Sequence, residues 1–97
     1  MTLHIYYAIE PNFSDNEIPL DTIKETHRFI GSFPGDENDL DEAYTFYQGE
    51  NWSPKGQARD LIMFLGLHHT SMSIGDYIET DDGMIFQCMF TGWNRIM

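Results

Sequence analysis

The chain predicts an α+β fold: a small antiparallel sheet, built from an N-terminal strand and a C-terminal hairpin, packed against three helices in the order β-α-α-α-β-β. Three observations carry that prediction. Residues 2 to 9 alternate with the two-residue period of a half-buried strand, the middle of the chain moves in steps of three and four, and residues 71 to 91 return to alternation on either side of Asp81-Asp82-Gly83. At 97 residues there is apolar material for one core, so residues 1–97 are read as a single acidic domain.

In the first strand Leu3, Ile5, Tyr7 and Ile9 alternate with Thr2, His4, Tyr6 and Ala8. Pro11 ends it, and residues 11 to 19 are rich enough in turn formers to be a loop. Leu20, Ile23, His27 and Ile30 predict an amphipathic helix over residues 20 to 31, with Gly31 as its stop. After Phe33-Pro34-Gly35, Asp39 and Glu42 stand in the acidic variant of a capping box ahead of Leu40, Ala43, Tyr44 and Tyr47, and Gly49 follows as the C-terminal cap. The third helix has Ser53 as N-cap, Pro54 at its first position, Ala58, Leu61, Ile62 and Leu65 along its stripe, and Gly66 beyond it. Strands are then expected from Ser71 to Thr80 and from Met84 to Thr91, joined by a tight loop in which Gly83 takes a positive φ. A lone hairpin is marginal in water, so the first strand is expected to join it.

Composition narrows the function classes. Sixteen acids against five bases leave a formal net charge of −11, which disfavours direct binding to nucleic acid or to an anionic membrane surface. Hydrophobic residues at 41% and aromatics at 14% are too many for an acidic disordered tail. The longest apolar runs fall far short of a membrane span, and Met1-Thr2-Leu3-His4-Ile5 has no secretion-signal pattern, so a cytoplasmic protein is expected. Cys88 is single and therefore expected to pack as a small hydrophobe on the last strand.

Catalysis would need a nucleophile with a base, a spaced set of metal ligands or a phosphate cradle. The histidines, His4, His27, His68 and His69, lack metal-ligand spacing, and the glycines form no phosphate-binding pattern. No cofactor, metal or enzymatic activity is therefore expected; His68, His69 and Asp76 are the least poor candidates for a small enzyme. The uneven distribution of charge is more informative. Lys24 and Arg28 fall on the first predicted helix and Lys55 and Arg59 on the third, whereas residues 29 to 54 and 60 to 94 hold no Lys or Arg at all. Two uncompensated acidic tracts result, and their candidate binding residues are Asp36, Glu37, Asp39, Asp41 and Glu42 in the first and Glu79, Asp81 and Asp82 in the second.

Taken singly, these acids have capping and turn explanations. Taken together they repel one another in the compact state, and their spacing suits a partner. Carboxylates about 5 to 6 Å apart on a helix, or roughly 6.6 to 6.8 Å apart on a strand, approach the spacing of successive phosphates on a nucleic acid strand. Such a surface would fill a Lys/Arg-lined groove built for DNA, with Tyr47, Trp52 and Tyr77 the nearest aromatic anchors. A non-catalytic interaction module that pairs through an exposed strand edge is the competing reading.

The stretch His69-Thr70-Ser71-Met72-Ser73-Ile74-Gly75-Asp76, followed by a short acidic turn and Phe86-Gln87-Cys88-Met89-Phe90, resembles a strand-turn-strand cassette of small phage and mobile-element proteins. With the length, the acidity and the opening Leu3-His4-Ile5-Tyr6-Tyr7, the whole chain resembles the type I-F anti-CRISPR proteins described as DNA mimics. That resemblance implies an inhibitor in the host bacterial cytoplasm whose partner is the basic DNA-binding surface, Cas8 and Cas7, of a CRISPR surveillance complex. It transfers no binding residue, and an antirestriction target with a similar cationic cleft stays open beside it.

Overall fold

The computed structural model describes residues 1–10, 16–48, 52 and 55–97. It is an α+β fold in which five antiparallel strands form one sheet: β1 (Thr2–Ala8), β2 (His27–Pro34), β3 (Tyr77–Thr80), β4 (Ile85–Cys88) and β5 (Trp93–Arg95), in the spatial order β2-β1-β3-β4-β5. The helices are α1 (Ile23–Thr26), α2 (Leu40–Phe46), preceded by a 3-10 turn at Glu37–Asp39, and α3 (Gln57–Phe64). The element order is thus β-α-β-α-α-β-β-β and differs from the expected β-α-α-α-β-β. No helix among the described residues is long and apolar enough to cross a membrane.

The first strand forms where alternation places it, and it is interior, flanked by β2 and β3. Its Leu3, Ile5 and Tyr7 are buried with Ile78 of β3 and Phe86 and Cys88 of β4, in one core with Leu40 and Ala43 of α2, Tyr47 just beyond it, and Ile62 of α3. The other face carries a smaller cluster in which Ile18 and Ile23 cover Tyr77 and Ile85. Cys88 is buried, as its place in the alternation requires. All four residues of β4 are buried because both sheet faces are covered there.

The region read as one helix over residues 20 to 31 is instead a single helical turn followed by an edge strand, β2. Ile23 and Ile30 share a helical spacing but serve different cores, Ile23 on the smaller cluster and Ile30 on the larger. A register shift opposite Ile5 and Tyr6 leaves Ile30 without a direct partner, and this bulge breaks the period that would have marked the strand. Gly31 is therefore a strand residue; a Cβ there would lie 2.7 Å from the Tyr47 hydroxyl, which crosses it to reach the Ser32 carbonyl at 3.3 Å.

Two further boundaries move. Of residues 71 to 80 only Tyr77–Thr80 is strand, because Met72 N–H bonds the Tyr47 carbonyl and Ser73 N–H bonds the Asp76 carboxylate. The last predicted strand stops at Cys88, and a reversal at Gly92 brings back β5, which pattern reading missed. The capping box lies one turn earlier than expected: Asp36 accepts from Asn38 N–H and Asp39 from Asp36 N–H, around the 3-10 turn, while Asp39 makes no side-chain cap on α2 itself. The hairpin loop is as expected, with Gly83 at φ 86° and its N–H bonded to the Thr80 carbonyl at 3.0 Å. Gly49, Glu50, Ser53 and Pro54 lie outside the described residues.

Candidate functional site

The acids of the two tracts are placed by the strand register. Thr2 pairs with Pro34 on one side of β1, and Leu3 pairs with Thr80 on the other. The turn that follows Pro34 and the loop that follows Thr80 consequently flank the same end of β1. Since neighbouring strands are about 4.8 Å apart, the two chain segments leave the sheet roughly 10 Å from each other. Asp36 and Glu37 from the first tract and Asp81 and Asp82 from the second are thus gathered at one end of the molecule.

The two segments are tied to that end by hydrogen bonds. Asp81 accepts from the Thr2 amide at 2.9 Å and from His4 Nε2 at 2.7 Å. These bonds, the histidine bond first, hold the Asp81 carboxyl below its ordinary range, so it stays ionised. Ser32 on β2 stands 3.3 Å from the other nitrogen of His4, so one imidazole links β2 to the loop that follows β3. On the first tract, the capping box fixes the backbone from Asp36 to Asp39.

Four of the eight proposed acids therefore have structural tasks: Asp36 and Asp39 cap, Asp81 clips β1, and Asp41 accepts from Trp93 Nε1 at 3.0 Å. Glu37, Glu42 and Asp82 are exposed and Glu79 is half-buried, and none of these four has a side-chain hydrogen bond or ion pair among the described residues. Asp41 and Glu42 lie on α2 beside Phe33, Thr45 and Phe46. Glu79 lies on β3, opposite His4, two residues inward from Asp81. The ion pairs among the described residues are His4–Asp81 and His69–Asp76, so no Lys or Arg neutralises either tract there.

The aromatic anchors differ from those expected. Tyr47 and Tyr77 are buried in the two cores, and Trp52 is half-buried with its indole N–H on the Thr70 carbonyl. Burial raises both phenols above their ordinary range. Exposed rings near the acids include Phe29, 49% exposed, which meets His4 and Tyr6, Phe46, 42% exposed, which meets Phe33, and Tyr44, which meets Trp93 beside Asp41. The signal for Phe29 was hidden in the region mistaken for helix.

A second constellation joins two of the residues named for catalysis. Asp76 is 1% exposed and accepts from Ala8 N–H, Ser73 N–H and His69 Nε2, at 2.8, 2.8 and 2.9 Å. His69 stacks on Tyr7 with ring centroids 4.8 Å apart, and Tyr7 donates to the Thr70 carbonyl at 2.9 Å. His68 is exposed and lines a shallow cleft beside His69. A catalytic relay would continue from His69 Nδ1 to a hydroxyl or thiol. Nδ1 is buried and has no hydrogen-bond partner among the described residues, and the contacts of His69 with Asp76 and Tyr7 form a joint that holds the start of the cassette against β1. No three His, Cys, Asp or Glu side chains among the described residues are grouped to hold a metal.

Comparisons with protein-family models, with curated proteins and with solved structures found no match for this chain.

Proposed function

We propose that the chain is a non-catalytic inhibitor that presents a fixed anionic surface to a protein groove built for DNA. The observation that carries this reading is the gathering of Asp36, Glu37, Asp81 and Asp82 at one end of the sheet, on two segments held by the capping box and by the Asp81 clip. The segments that carry them leave the sheet roughly 10 Å apart, so the acids are presented together on one end of the molecule. Rigidity matters because ordering loose charges on binding would cost free energy that a preformed surface does not lose. The resemblance to type I-F anti-CRISPR proteins supplies the partner: the lysine- and arginine-lined DNA path of Cas8 and Cas7 in a CRISPR surveillance complex.

The test is competition between this protein and target duplex for a purified type I-F surveillance complex, read by mobility shift. The protein is expected to displace the duplex, with affinity falling steeply as salt rises toward a Debye length of about 8 Å at physiological ionic strength. Glu37→Lys combined with Asp82→Lys should abolish displacement while leaving the fold intact. Displacement that ignores both salt and these reversals would reject the reading.

A further inference from the structure

We propose that the groove between β2 and α2 receives an arginine side chain of the partner, an inference that rests on the acidic-surface reading and sharpens it to one chemical group. The groove, about 460 Å³, is lined by Phe33, Asp41, Glu42, Thr45 and Phe46. Its apolar wall is the pair Phe33 and Phe46, with ring centroids 5.5 Å apart and planes inclined by 48°. Asp41 is engaged by Trp93 Nε1, and the Thr45 hydroxyl is turned back to the Asp41 carbonyl, which leaves Glu42 as the carboxylate with no partner among the described residues. Glu42 and Phe46 are four residues apart on α2, so their side chains are neighbours on one helix face.

A half-exposed ring beside an unpaired carboxylate has an unmet complement: a flat cation that stacks on one and hydrogen-bonds the other. Guanidinium meets both demands, because it is planar, weakly hydrated and able to present two parallel N–H groups to a carboxylate. An ammonium offers a point charge that stays hydrated and cannot stack. Among the described residues no Lys or Arg forms an ion pair with Asp41 or Glu42.

The experiment uses the full chain labelled with 15N and two probes at matched ionic strength, Ac-Gly-Arg-Gly-NH2 and Ac-Gly-Lys-Gly-NH2. Amide shifts caused by the arginine peptide should concentrate at Phe33 and residues 41 to 46, and the lysine peptide should bind about threefold or more weakly, the scale of an exposed cation–π contact. Glu42→Gln, at an exposed position, should weaken the arginine peptide about threefold with the rest of the spectrum unchanged, and Phe46→Leu should do the same while keeping an apolar side chain there. Equal binding of both peptides, or shifts spread over Glu37, Asp81 and Asp82, would overturn the groove. Should selectivity for arginine fail while displacement of duplex persists, the groove falls and the acidic-surface reading stands. Should displacement fail while selectivity persists, the reverse holds.

Discussion

Asp76 shows what a single residue does in this fold. Its carboxylate closes the backbone of the 73–76 turn, satisfies the end of β1 through Ala8, and orients His69 against Tyr7. Each buried group left unpaired costs about 1–3 kcal/mol, so Asp76→Ala should lose at least about 3 kcal/mol, a large part of the 5–15 kcal/mol typical of a domain. Urea unfolding should show the midpoint falling by a corresponding amount, and a shift of only a few tenths of a kcal/mol would mean the joint is dispensable. His27 gives a pH dependence. It is buried, with Nε2 on the Gly75 carbonyl at 2.7 Å and Nδ1 on Thr26 Oγ1 at 2.8 Å, and desolvation lowers its pKa from 6.5 despite the opposing pull of Gly75 and Asp76. The unfolded chain therefore takes up this proton at higher pH than the folded chain does. Its contribution is full above the unfolded value and is lost as pH falls through about 6.5 toward the lower folded value. Melting temperatures measured between pH 7.5 and 5 should decline, and His27→Gln should flatten the decline.

Among the elements, what was legible followed the local pattern. β1 is given by strict alternation, α2 and α3 by their apolar stripes, and the β3–β4 loop by Asp-Asp-Gly. β2 was illegible because its bulge puts Ile30 on the same face as Gly31 and Phe33, so the core-facing apolar residues fall three apart and mimic a helical step. β5 is three residues long, too short to show any period. The acids of the candidate site were readable as a surplus, but their grouping depends on a register between β1 and strands that lie 20 to 80 residues along the chain, which no local pattern contains. The division of labour within the first tract yields a sharp comparison. Asp36→Ala removes a cap and should cost about 1 kcal/mol, whereas Glu37→Ala should change stability by less than about 0.5 kcal/mol. Equal costs in thermal unfolding would contradict the capping assignment.

For the molecule as a whole, the net charge of −11 should act on folding and on binding in opposite directions. Self-repulsion among carboxylates opposes the compact state, and salt screens it. Raising sodium chloride from 20 to 300 mM should therefore raise the melting temperature of the free protein, while the same change weakens its hold on a cationic partner. Glu37→Lys with Asp82→Lys should mimic the first effect, giving equal or greater stability at low salt, because both positions are exposed and carry no structural hydrogen bond. A melting temperature that falls with salt would place the dominant charge effect in attractive pairs instead.

The interior place of β1, paired on both sides, also governs the order in which the protein matures on the ribosome. Its first neighbour, β2, is synthesised soon after it, but its second, β3, follows only after the segment that forms both larger helices has emerged. Until then one flank of β1 exposes unpaired amides and carbonyls, a template to which another nascent copy can attach. Closure across so long a loop belongs to the millisecond-to-second regime of non-local topologies, so yield on expression should depend more on crowding of unfinished chains than on the stability of the finished one.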